Sequence, residues 1–254
     1  MRARKPRVIP CLLLDRGRLV KTVSFSKPGY VGDPINVVKI FNEKEADELI
    51  LLDISASRRR DPPAFEMIEQ VAAECFMPMT YGGGVATVEQ AERIISMGVE
   101  KVVVNSAVFR GTALIANMAR RLGSSSTVVG IDVKQDRRGR YRVYDAARKK
   151  LTELDPANHA KQVVDAGAGE IFLNDVERDG RGIGFDLDLI REVSGAVDVP
   201  VIACGGAGRL ADLRLATDAG AAAVAAGSMF VYLGKQRAVM INYPAYRTQV
   251  ELFQ

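Results

Sequence analysis

The sequence predicts an α/β fold, a (β/α)8 TIM barrel built from two similar half-barrels, and two observations carry this prediction. Eight short apolar runs alternate with helical patterns along 254 residues, and runs that are apolar on both faces are typical of parallel strands buried under helices. The glycine pattern of the first half also recurs in the second half at a constant spacing. The alternative is an open doubly wound sheet, which alternates strands and helices in the same way.

Helices are predicted between the eight strands. Asp33 and Pro34 start one of them, since aspartate caps a first turn and proline fits its first position. Further helices are predicted in "DPPAFEMIEQVAAEC", "TVEQAERIISMG" and "LADLRLATDAG". Eight βα units in a chain of this length favour closure into a barrel. The predicted strands are residues 7–13, 48–54, 77–81, 101–105, 128–134, 170–174, 199–204 and 221–226.

The repeat favours the barrel over the open sheet. The segment "MPMTYGGGVATVEQAERIISMGVEKVVVNSAVF" matches "VPVIACGGAGRLADLRLATDAGAAAVAAGSMF", with Pro78 and Pro200 lying 122 positions apart. An open sheet would carry one glycine fingerprint after its first strand, where this chain has none. We therefore expect a single barrel domain, residues 1–254. The same spacing of 122 relates Gly83 to Gly205, Gly84 to Gly206, Gly98 to Gly220 and Ser106 to Ser228.

Composition argues against several function classes. The chain is 48% hydrophobic and 26% charged, and its net charge of +4 is too small to indicate nucleic-acid binding. It lacks a run of ~18 apolar residues, and its basic N-terminus lacks the apolar segment of a signal peptide, so we expect a cytoplasmic protein without a membrane partner. His159 is the only histidine, and Cys11, Cys75 and Cys204 show no CxxC spacing. Buried free thiols are therefore expected, and neither a metal nor a cofactor is predicted.

Two glycine-rich turns are candidate phosphate sites. Each follows a predicted strand and precedes a predicted helix, where backbone N–H groups and the helix N-terminus favour an anion. Because the pattern occurs twice, we expect two cradles and a phosphorylated or nucleotide-linked ligand with two anionic groups. Tight strand–helix turns without a ligand are the alternative. The first cradle comprises Gly82, Gly83, Gly84, Asn105 and Ser106, and the second comprises Gly205, Gly206, Gly227 and Ser228.

Two aspartates end predicted strands, a position where carboxylates of barrel enzymes serve acid–base chemistry. Asp53 ends the second strand and Asp132 the fifth, with a loop cap or an ion pair as the alternative for each. The first strand is the counterpart of the fifth, and it has Leu13 at the position of Asp132. Asp15 lies one pleat further out on the same face, ~7 Å away, and could substitute only if the strand or loop shifts.

Charged residues are expected at both poles of the barrel. The arginines that follow strands would form a rim that attracts anionic substrates, although solvated loops explain each one singly. They include Arg58, Arg59, Arg60, Arg178, Arg181 and Arg209. Four other charged residues stand where strands begin, and solvation alone is sufficient to explain them. These are Arg7, Glu48, Lys101 and Glu170.

Motifs along nearly the whole chain, residues 7–230, resemble the cyclase subunit of imidazole glycerol phosphate synthase. They are "RVIPCL", "VGDP", "ADELILLDI", "YGGG", "GVEKVVVNSA", "GIDVK", "GAGEIFL", "RDG", "IACGGAG" and "AAGSMF". The resemblance implies a (β/α)8 barrel that takes ammonia from a glutaminase docked at the strand-start pole. It further implies that ammonia passes along the barrel axis to a substrate that carries two phosphates.

The resemblance also implies roles for individual residues. Asp132 corresponds to the second catalytic aspartate of the family, and Lys21 to its lysine after the first strand. Four charged residues that gate the ammonia channel correspond to Arg7, Glu48, Lys101 and Glu170. The candidate substrate and phosphate contacts are Asp53, Gly83, Gly84, Asn105, Ser106, Asn174, Asp179, Gly180, Gly205, Gly206, Gly227 and Ser228.

Three departures from the family pattern change the expected activity. Leu13 replaces the first catalytic aspartate, Asn174-Asp175 replaces a pair of hydroxyl residues, and Cys204 replaces a serine. Losing one of two acid–base groups that act together commonly costs orders of magnitude in rate. Ordinary cyclase activity is therefore not expected, and Asp15 is the candidate for the second catalytic group.

Two segments, "CLLLDRGRLVKTV" and "GYVGDPINVVKIFNEKEADELI", resemble a branch of the family that is associated with glycosyl amidation in surface-polysaccharide (O-antigen) biosynthesis. This resemblance implies an ammonia relay for the amidation of a sugar, with a sugar amidotransferase as a further partner. Two alternatives stay open. One is a genuine cyclase of histidine biosynthesis that uses Asp132 and a displaced Asp15, and the other is a non-catalytic scaffold for the glutaminase.

Overall fold

The computed structural model describes residues 5–234 and 236–254. Its strands are β1 (Arg7–Asp15), β2 (Arg18–Val23), β3 (Ser26–Gly32), β4 (Leu49–Asp53), β5 (Met79–Gly82), β6 (Lys101–Val104), β7 (Thr127–Gln135), β8 (Tyr141–Asp145), β9 (Lys150–Leu151), β10 (Glu170–Asp175), β11 (Val201–Cys204), β12 (Ala223–Ala226), β13 (Tyr232–Leu233) and β14 (Ala238–Val239). Its α-helices are α1 (Pro34–Glu43), α2 (Ala56–Arg59), α3 (Phe65–Glu74), α4 (Val88–Ser96), α5 (Ala113–Leu122), α6 (Pro156–Asp165), α7 (Leu187–Ser194), α8 (Leu210–Asp218), α9 (Ser228–Val231) and α10 (Tyr246–Phe253).

Eight parallel strands close into a barrel in the order β1-β4-β5-β6-β7-β10-β11-β12, and β12 pairs with β1 to complete the circle. Closure confirms the predicted fold class and rules out the open sheet. Below, "the mouth" is the pole where these strands end, and "the strand-start pole" is the opposite one. No helix within residues 5–234 and 236–254 has both the length and the apolar character needed to cross a membrane.

Side-chain caps explain why several helices begin where they do. Asp33 accepts a hydrogen bond of 3.0 Å from the backbone N–H of Asn36, and Pro34 occupies the first turn of α1, as predicted. Thr87 and Gln90 form a reciprocal capping box at the start of α4. These caps fix the helices that cover the barrel, whose outward-facing strand residues pack against them.

Two antiparallel hairpins extend barrel strands beyond the mouth, and the sequence patterns did not predict them. β2 pairs with the outer half of β1 and with β3, and β8 pairs with the outer half of β7 and with β9. The strands β1 and β7 are equivalent in the two half-barrels. The hairpins therefore stand on opposite sides of the mouth.

Alternation along the barrel strands sorts the inward-facing side chains into layers. Glu48, the residue before β4, and Leu52 of β4 are four residues apart and face the interior. Glu170 and Asn174 do so on β10. A buried apolar cluster surrounds the barrel axis between the level of Glu48 and Glu170 and the mouth. It comprises Ile9, Cys11, Leu13, Val20, Ile50, Val103, Val128, Phe172, Ile202, Cys204, Ala223 and Ala225.

Candidate active site and charged ring

The mouth contains a cavity of about 400 Å³. It collects most of the predicted site residues from both halves of the chain, because the carboxyl ends of all eight strands meet there. Predicted site residues that line it are Lys21, Asp53, Gly83, Gly84, Asn105, Ser106, Asp132, Asn174, Asp179 and Gly227. Predicted site residues outside its lining are Asp15, Gly180, Gly205, Gly206 and Ser228.

Asp132 has the environment expected of an acid–base group. Its side chain is buried near the end of β7, where Asn105 donates a hydrogen bond of 2.9 Å to its Oδ2. Burial raises the pKa of Asp132 to about 7, and the nearby carboxylates of Asp179 and Asp145 act in the same direction, against the hydrogen bond from Asn105. A carboxyl group with this pKa can both accept and release a proton near neutral pH.

Asp53 lines the cavity, but its carboxylate caps the following turn. Oδ1 accepts hydrogen bonds from the backbone N–H groups of Ser55 (2.9 Å) and Ala56 (3.0 Å). Asp175, 122 positions later, makes the same contacts with Glu177 and Arg178. The loop-cap interpretation thus accounts for the aspartates that end β4 and β10, whereas Asp132 has no comparable local role.

Strand register identifies Leu13 as the counterpart of Asp132. Leu13 pairs with Leu52 across β1 and β4, and Asp132 pairs with Asn174 across β7 and β10. Leu52 and Asn174 are 122 positions apart, so the two pairs occupy equivalent places in the half-barrels. One half therefore presents two leucines to the mouth, and the other presents a carboxylate and an amide.

Asp15 does not reach this cavity. It is the last residue of β1 and pairs with Arg18 at the tight turn into β2. Because β1 runs past the mouth into the hairpin, the position one pleat beyond Leu13 lies in the hairpin rather than in the cavity lining. The structure gives Asp15 no contact with Asp132.

The side of the mouth formed by β12 and the β2 hairpin holds a buried lysine. Lys21 donates a hydrogen bond from Nζ to the backbone carbonyl of Cys11 and packs against Gly227, which has no side chain to displace it. Thr22 donates to Asp179 at 3.2 Å. Burial raises the pKa of Asp179, and the charge of Lys21 opposes that shift.

Two buried polar atoms near the mouth have no hydrogen-bond partner within the described part of the chain. They are Oδ1 of Asn174 and Oγ of Ser228. Both residues were predicted to contact ligand, and a buried polar atom without a partner is a rare and costly arrangement. Asn174 lines the cavity and Ser228 lies outside its lining, so the contacts predicted for these two residues stay predictions.

The glycines of the two cradles are also required by packing. Gly83 has φ 128°, and a Cβ there would lie 2.5 Å from the backbone oxygen of Asp53. Gly205 has φ 88°, and a Cβ there would lie 2.7 Å from Oδ1 of Asn174. Tight strand–helix turns thus explain these glycines even without a phosphate, so the phosphate sites stay predictions.

The four charged residues at the strand-start pole form a closed ring. Arg7 contacts both Glu48 and Glu170, and Lys101 contacts Glu48 at 3.3 Å and Glu170 at 2.8 Å. Thr80 adds a hydrogen bond of 3.2 Å to Glu48. Both glutamates are only 3% exposed. Solvation of strand starts does not explain such burial, which makes this ring a specific feature of the pole.

Several cavity residues were missed from the sequence because they lie on the unpredicted hairpins or in the apolar layer. Tyr144 of β8 lines the cavity, and the ammonium group of Lys134 lies 4.2 Å from the centre of its ring. The alternation in "YRVY" is a strand signal that could have located β8. Of the three cysteines, Cys11 and Cys204 are buried in the lining, and Cys75 is only partly buried, contrary to expectation.

Comparisons with known proteins agree with this architecture. The family model described as "Histidine biosynthesis protein" matches residues 7–236. A Pseudomonas aeruginosa protein provisionally named imidazole glycerol phosphate synthase subunit hisF2 is 53% identical over 240 residues, covering 94% of this chain and 95% of its own length. A Leptospira interrogans protein with a similarly provisional name is 47% identical over 251 residues, covering 98% and 99%.

A third relative carries the name without qualification. The imidazole glycerol phosphate synthase subunit HisF of Alkaliphilus metalliredigens is 40% identical over 227 residues, which cover 89% of this chain and 90% of its own. The match of the family model and of these relatives extends over both half-barrels, from the strand-start ring to the mouth. On this basis, the chain belongs to the histidine biosynthesis protein family and is an HisF-like imidazole glycerol phosphate synthase subunit.

Proposed function

We propose that this barrel receives ammonia from a glutaminase docked at the strand-start pole and delivers it through the barrel interior to the mouth. The observation that carries the proposal is the placement of a buried charged ring and a buried acid–base carboxylate at the two ends of one interior. Glu170 of the ring and Asn174 beside Asp132 are four residues apart on one strand, ~13 Å along its axis. The intervening layer is apolar, which suits a neutral molecule better than an ion.

At the mouth, Asp132 is the proposed acid–base group. Its pKa of about 7 lets it exchange a proton with an incoming nitrogen or with the acceptor. The two cradles, with Lys21 beside the second, are the proposed contacts for an anionic acceptor. Arg58 and Lys149 in the cavity lining add positive charge at the rim.

The proposed acceptor is a sugar of a surface polysaccharide, amidated by this subunit or by a sugar amidotransferase that takes the ammonia onward. Leu13 supports an acceptor other than the histidine-pathway substrate. It leaves one carboxylate at the level where the family resemblance implies two, and Asp15 lies outside the cavity lining. A reaction that needs a single proton-transferring group is compatible with this mouth.

A genuine cyclase of histidine biosynthesis is the second candidate, and the names of the relatives favour it. Asp132, Lys21 and the cradles would serve that reaction as well. A non-catalytic scaffold for the glutaminase is the third. The buried carboxyl group of Asp132 argues against it, since a scaffold has no use for a carboxyl group with a pKa of about 7 in the cavity lining.

The experiment is a turnover assay of the barrel purified with a candidate partner glutaminase from the same organism. Glutamine hydrolysis and conversion of the histidine-pathway substrate are measured together. We expect the barrel to raise glutaminase turnover and to leave that substrate unconverted. Conversion at the rate of an ordinary cyclase would establish the second candidate instead, and a lack of association would remove the ammonia relay.

A further inference from the structure

Cys11 and Cys204 face each other inside the barrel, although one strand separates theirs. Cys11 lies on β1, Cys204 ends β11, and β12 runs between these two strands. The residues nearest to both cysteines at the end of β12 are Ala225 and Gly227, which are too small to separate the thiols. The two thiols lie within hydrogen-bonding reach of each other. This pairing depends on the fold, so the spacing of the cysteines in the sequence does not indicate it.

The surroundings of this thiol pair suit a soft metal ion. Both cysteines belong to the apolar cluster around the barrel axis, and both line the cavity at the mouth, which gives a small ion a route to them. An apolar site with sulfur atoms disfavours hard ions that bind oxygen, whereas thiolates select soft ions such as copper(I). Within residues 5–234 and 236–254, no group of three or more histidine, cysteine or acidic side chains could hold an ion that needs several protein ligands.

The charges around the pair favour a thiolate on Cys11. The hydrogen bond with Cys204 lowers the pKa of Cys11, burial opposes that change, and the ammonium group of Lys21 supports it. Lys21 is held beside the pair because its Nζ donates to the backbone carbonyl of Cys11. The carboxylates of Asp179 and Asp132 act against the thiolate. Two thiolates and one univalent cation carry one net negative charge, which the ammonium group of Lys21 can balance.

Strand spacing distinguishes metal binding from the alternative, a disulfide. Two spacings of ~4.8 Å place the backbones of β1 and β11 ~9 Å apart across the curved wall of the barrel. A disulfide needs Cα atoms within about 7 Å of each other, so the barrel would have to deform. Two metal–sulfur bonds of about 2.3 Å in line need sulfur atoms about 4.6 Å apart, which rotation of the two side chains can provide. The geometry therefore favours an ion between the thiols over a bond between them.

We propose that Cys11 and Cys204 bind one soft univalent metal ion, copper(I), in linear two-coordinate geometry. The ion displaces one proton from each thiol, and both protons leave to the solvent, so charge balances without a change of oxidation state. The site goes beyond the proposed function and does not depend on a glutaminase. A bound ion lies in the apolar part of the interior between the charged ring and the mouth, and it narrows the interior there.

The test measures copper(I) binding by the barrel alone under anaerobic conditions, with ascorbate as a reductant that contains no thiol. A chromogenic copper(I) chelator competes with the protein, and its colour reports how much metal the barrel takes. We expect one tightly held ion per chain and an X-ray absorption spectrum of two sulfur ligands. Zinc chloride should not be retained, because zinc in a structural site requires four ligands.

Single substitutions identify the ligands. Cys204→Ser and Cys11→Ser should each weaken copper(I) binding by about 100-fold or more, since loss of a partner outside the ligand set already costs about 10–100-fold. Cys204→Ala serves if Cys204→Ser does not fold. Cys75→Ser is the matched control, because Cys75 lies outside the cavity lining, and it should bind copper(I) as the wild type does.

Several results would overturn the proposal. Undiminished copper(I) binding by both Cys11→Ser and Cys204→Ser, or binding that is lost in Cys75→Ser, would place the metal elsewhere. A wild type that takes up no copper(I), or that holds zinc equally well, would show that the two thiols form no site for a soft ion.

Discussion

Leu13 and Asp132 stand at equivalent positions on opposite strands of the barrel and line the same cavity. β1 and β7 are four strands apart in either direction around the barrel. Each residue pairs with a neighbour of matching polarity, Leu13 with Leu52 and Asp132 with Asn174. The two half-barrels share one backbone repeat, but one side of the mouth is apolar and the other is polar.

The buried carboxyl group of Asp132 should make stability depend on pH. Its pKa is about 7 in the folded state against 3.8 for an unperturbed aspartate, so the folded protein binds the proton more tightly. Unfolding free energy therefore falls as pH rises from about 4 to 7 and levels off above 7. Asp132→Asn should abolish this contribution.

Urea denaturation at pH 5 and pH 8 measures that effect. Between pH 5 and pH 8, the unfolding free energy of the wild type should fall by about 2–3 kcal/mol more than that of Asp132→Asn. The reason is that the folded wild type holds one more proton than the unfolded chain over about two pH units, from pH 5 to the pKa of Asp132. Asp175, whose pKa burial raises to about 6, leaves a residual slope in both proteins. Identical slopes would show that Asp132 ionises normally and would weaken its assignment as the acid–base group.

Removing one cation of the ring should impair ammonia transfer and also cost stability. Lys101→Met keeps the apolar stem but leaves Arg7 as the one ring cation that contacts Glu48 and Glu170. Because the glutamates are buried, leaving them incompletely paired should destabilise the fold by up to about 3 kcal/mol, more than an exposed pair would. The rate at which the acceptor is aminated with glutamine as the nitrogen source should fall further than the rate with added ammonium salt.

Lys39→Met is the matched control for that prediction, since Lys39 pairs with Glu74 on the exposed surface at 3.4 Å. Lys39→Met should change neither the stability of the barrel nor the transfer of ammonia. An equal loss with glutamine and with ammonium salt in Lys101→Met would mean that the ring stabilises the barrel without controlling the passage of ammonia.

Restoring the missing carboxylate with Leu13→Asp should not restore an ordinary cyclase. The new side chain would stand beside Leu52 in an apolar layer, where an unpaired carboxylate costs stability or takes up a proton. We expect wild type and Leu13→Asp both to fail to complement a cyclase-deficient strain, with comparable expression as the control. Growth supported by the wild type would show that Asp132 suffices for the cyclase reaction.

Crystals grown with sulfate or phosphate should contain an anion in each cradle. The first would contact the backbone around Gly83 and Gly84 together with Ser106, and the second would contact Gly227 and the unpartnered hydroxyl of Ser228. Electron density at these places is the measurement. Empty cradles at high anion concentration would leave Gly83 and Gly84 with the packing role that their φ angles of 128° and 71° already require.

The sequence predicted the barrel and its two halves because hydrophobic alternation and the repeat are properties of the chain itself. The buried position of Asp132 at the mouth follows from its place at a strand end, and its acid–base role stays a prediction. The position of Asp15 outside the cavity lining could not be predicted, because the β1–β2 hairpin that carries β1 past the mouth was not recognised in the sequence. The closed ring of Arg7 and its partners was also beyond pattern analysis, since ion pairs between residues 41 and 163 positions apart depend on the tertiary fold.

Hydrogen exchange on the barrel alone and in the presence of a candidate partner glutaminase tests the central claim most directly, because it locates the docking face without requiring the acceptor. The ammonia relay predicts protection of backbone amides at the strand-start pole, in the loops that precede β4, β6 and β10, together with faster glutamine hydrolysis. The hairpins around the mouth should exchange as they do in the free barrel. Protection confined to those hairpins, or none at either pole, would contradict the relay.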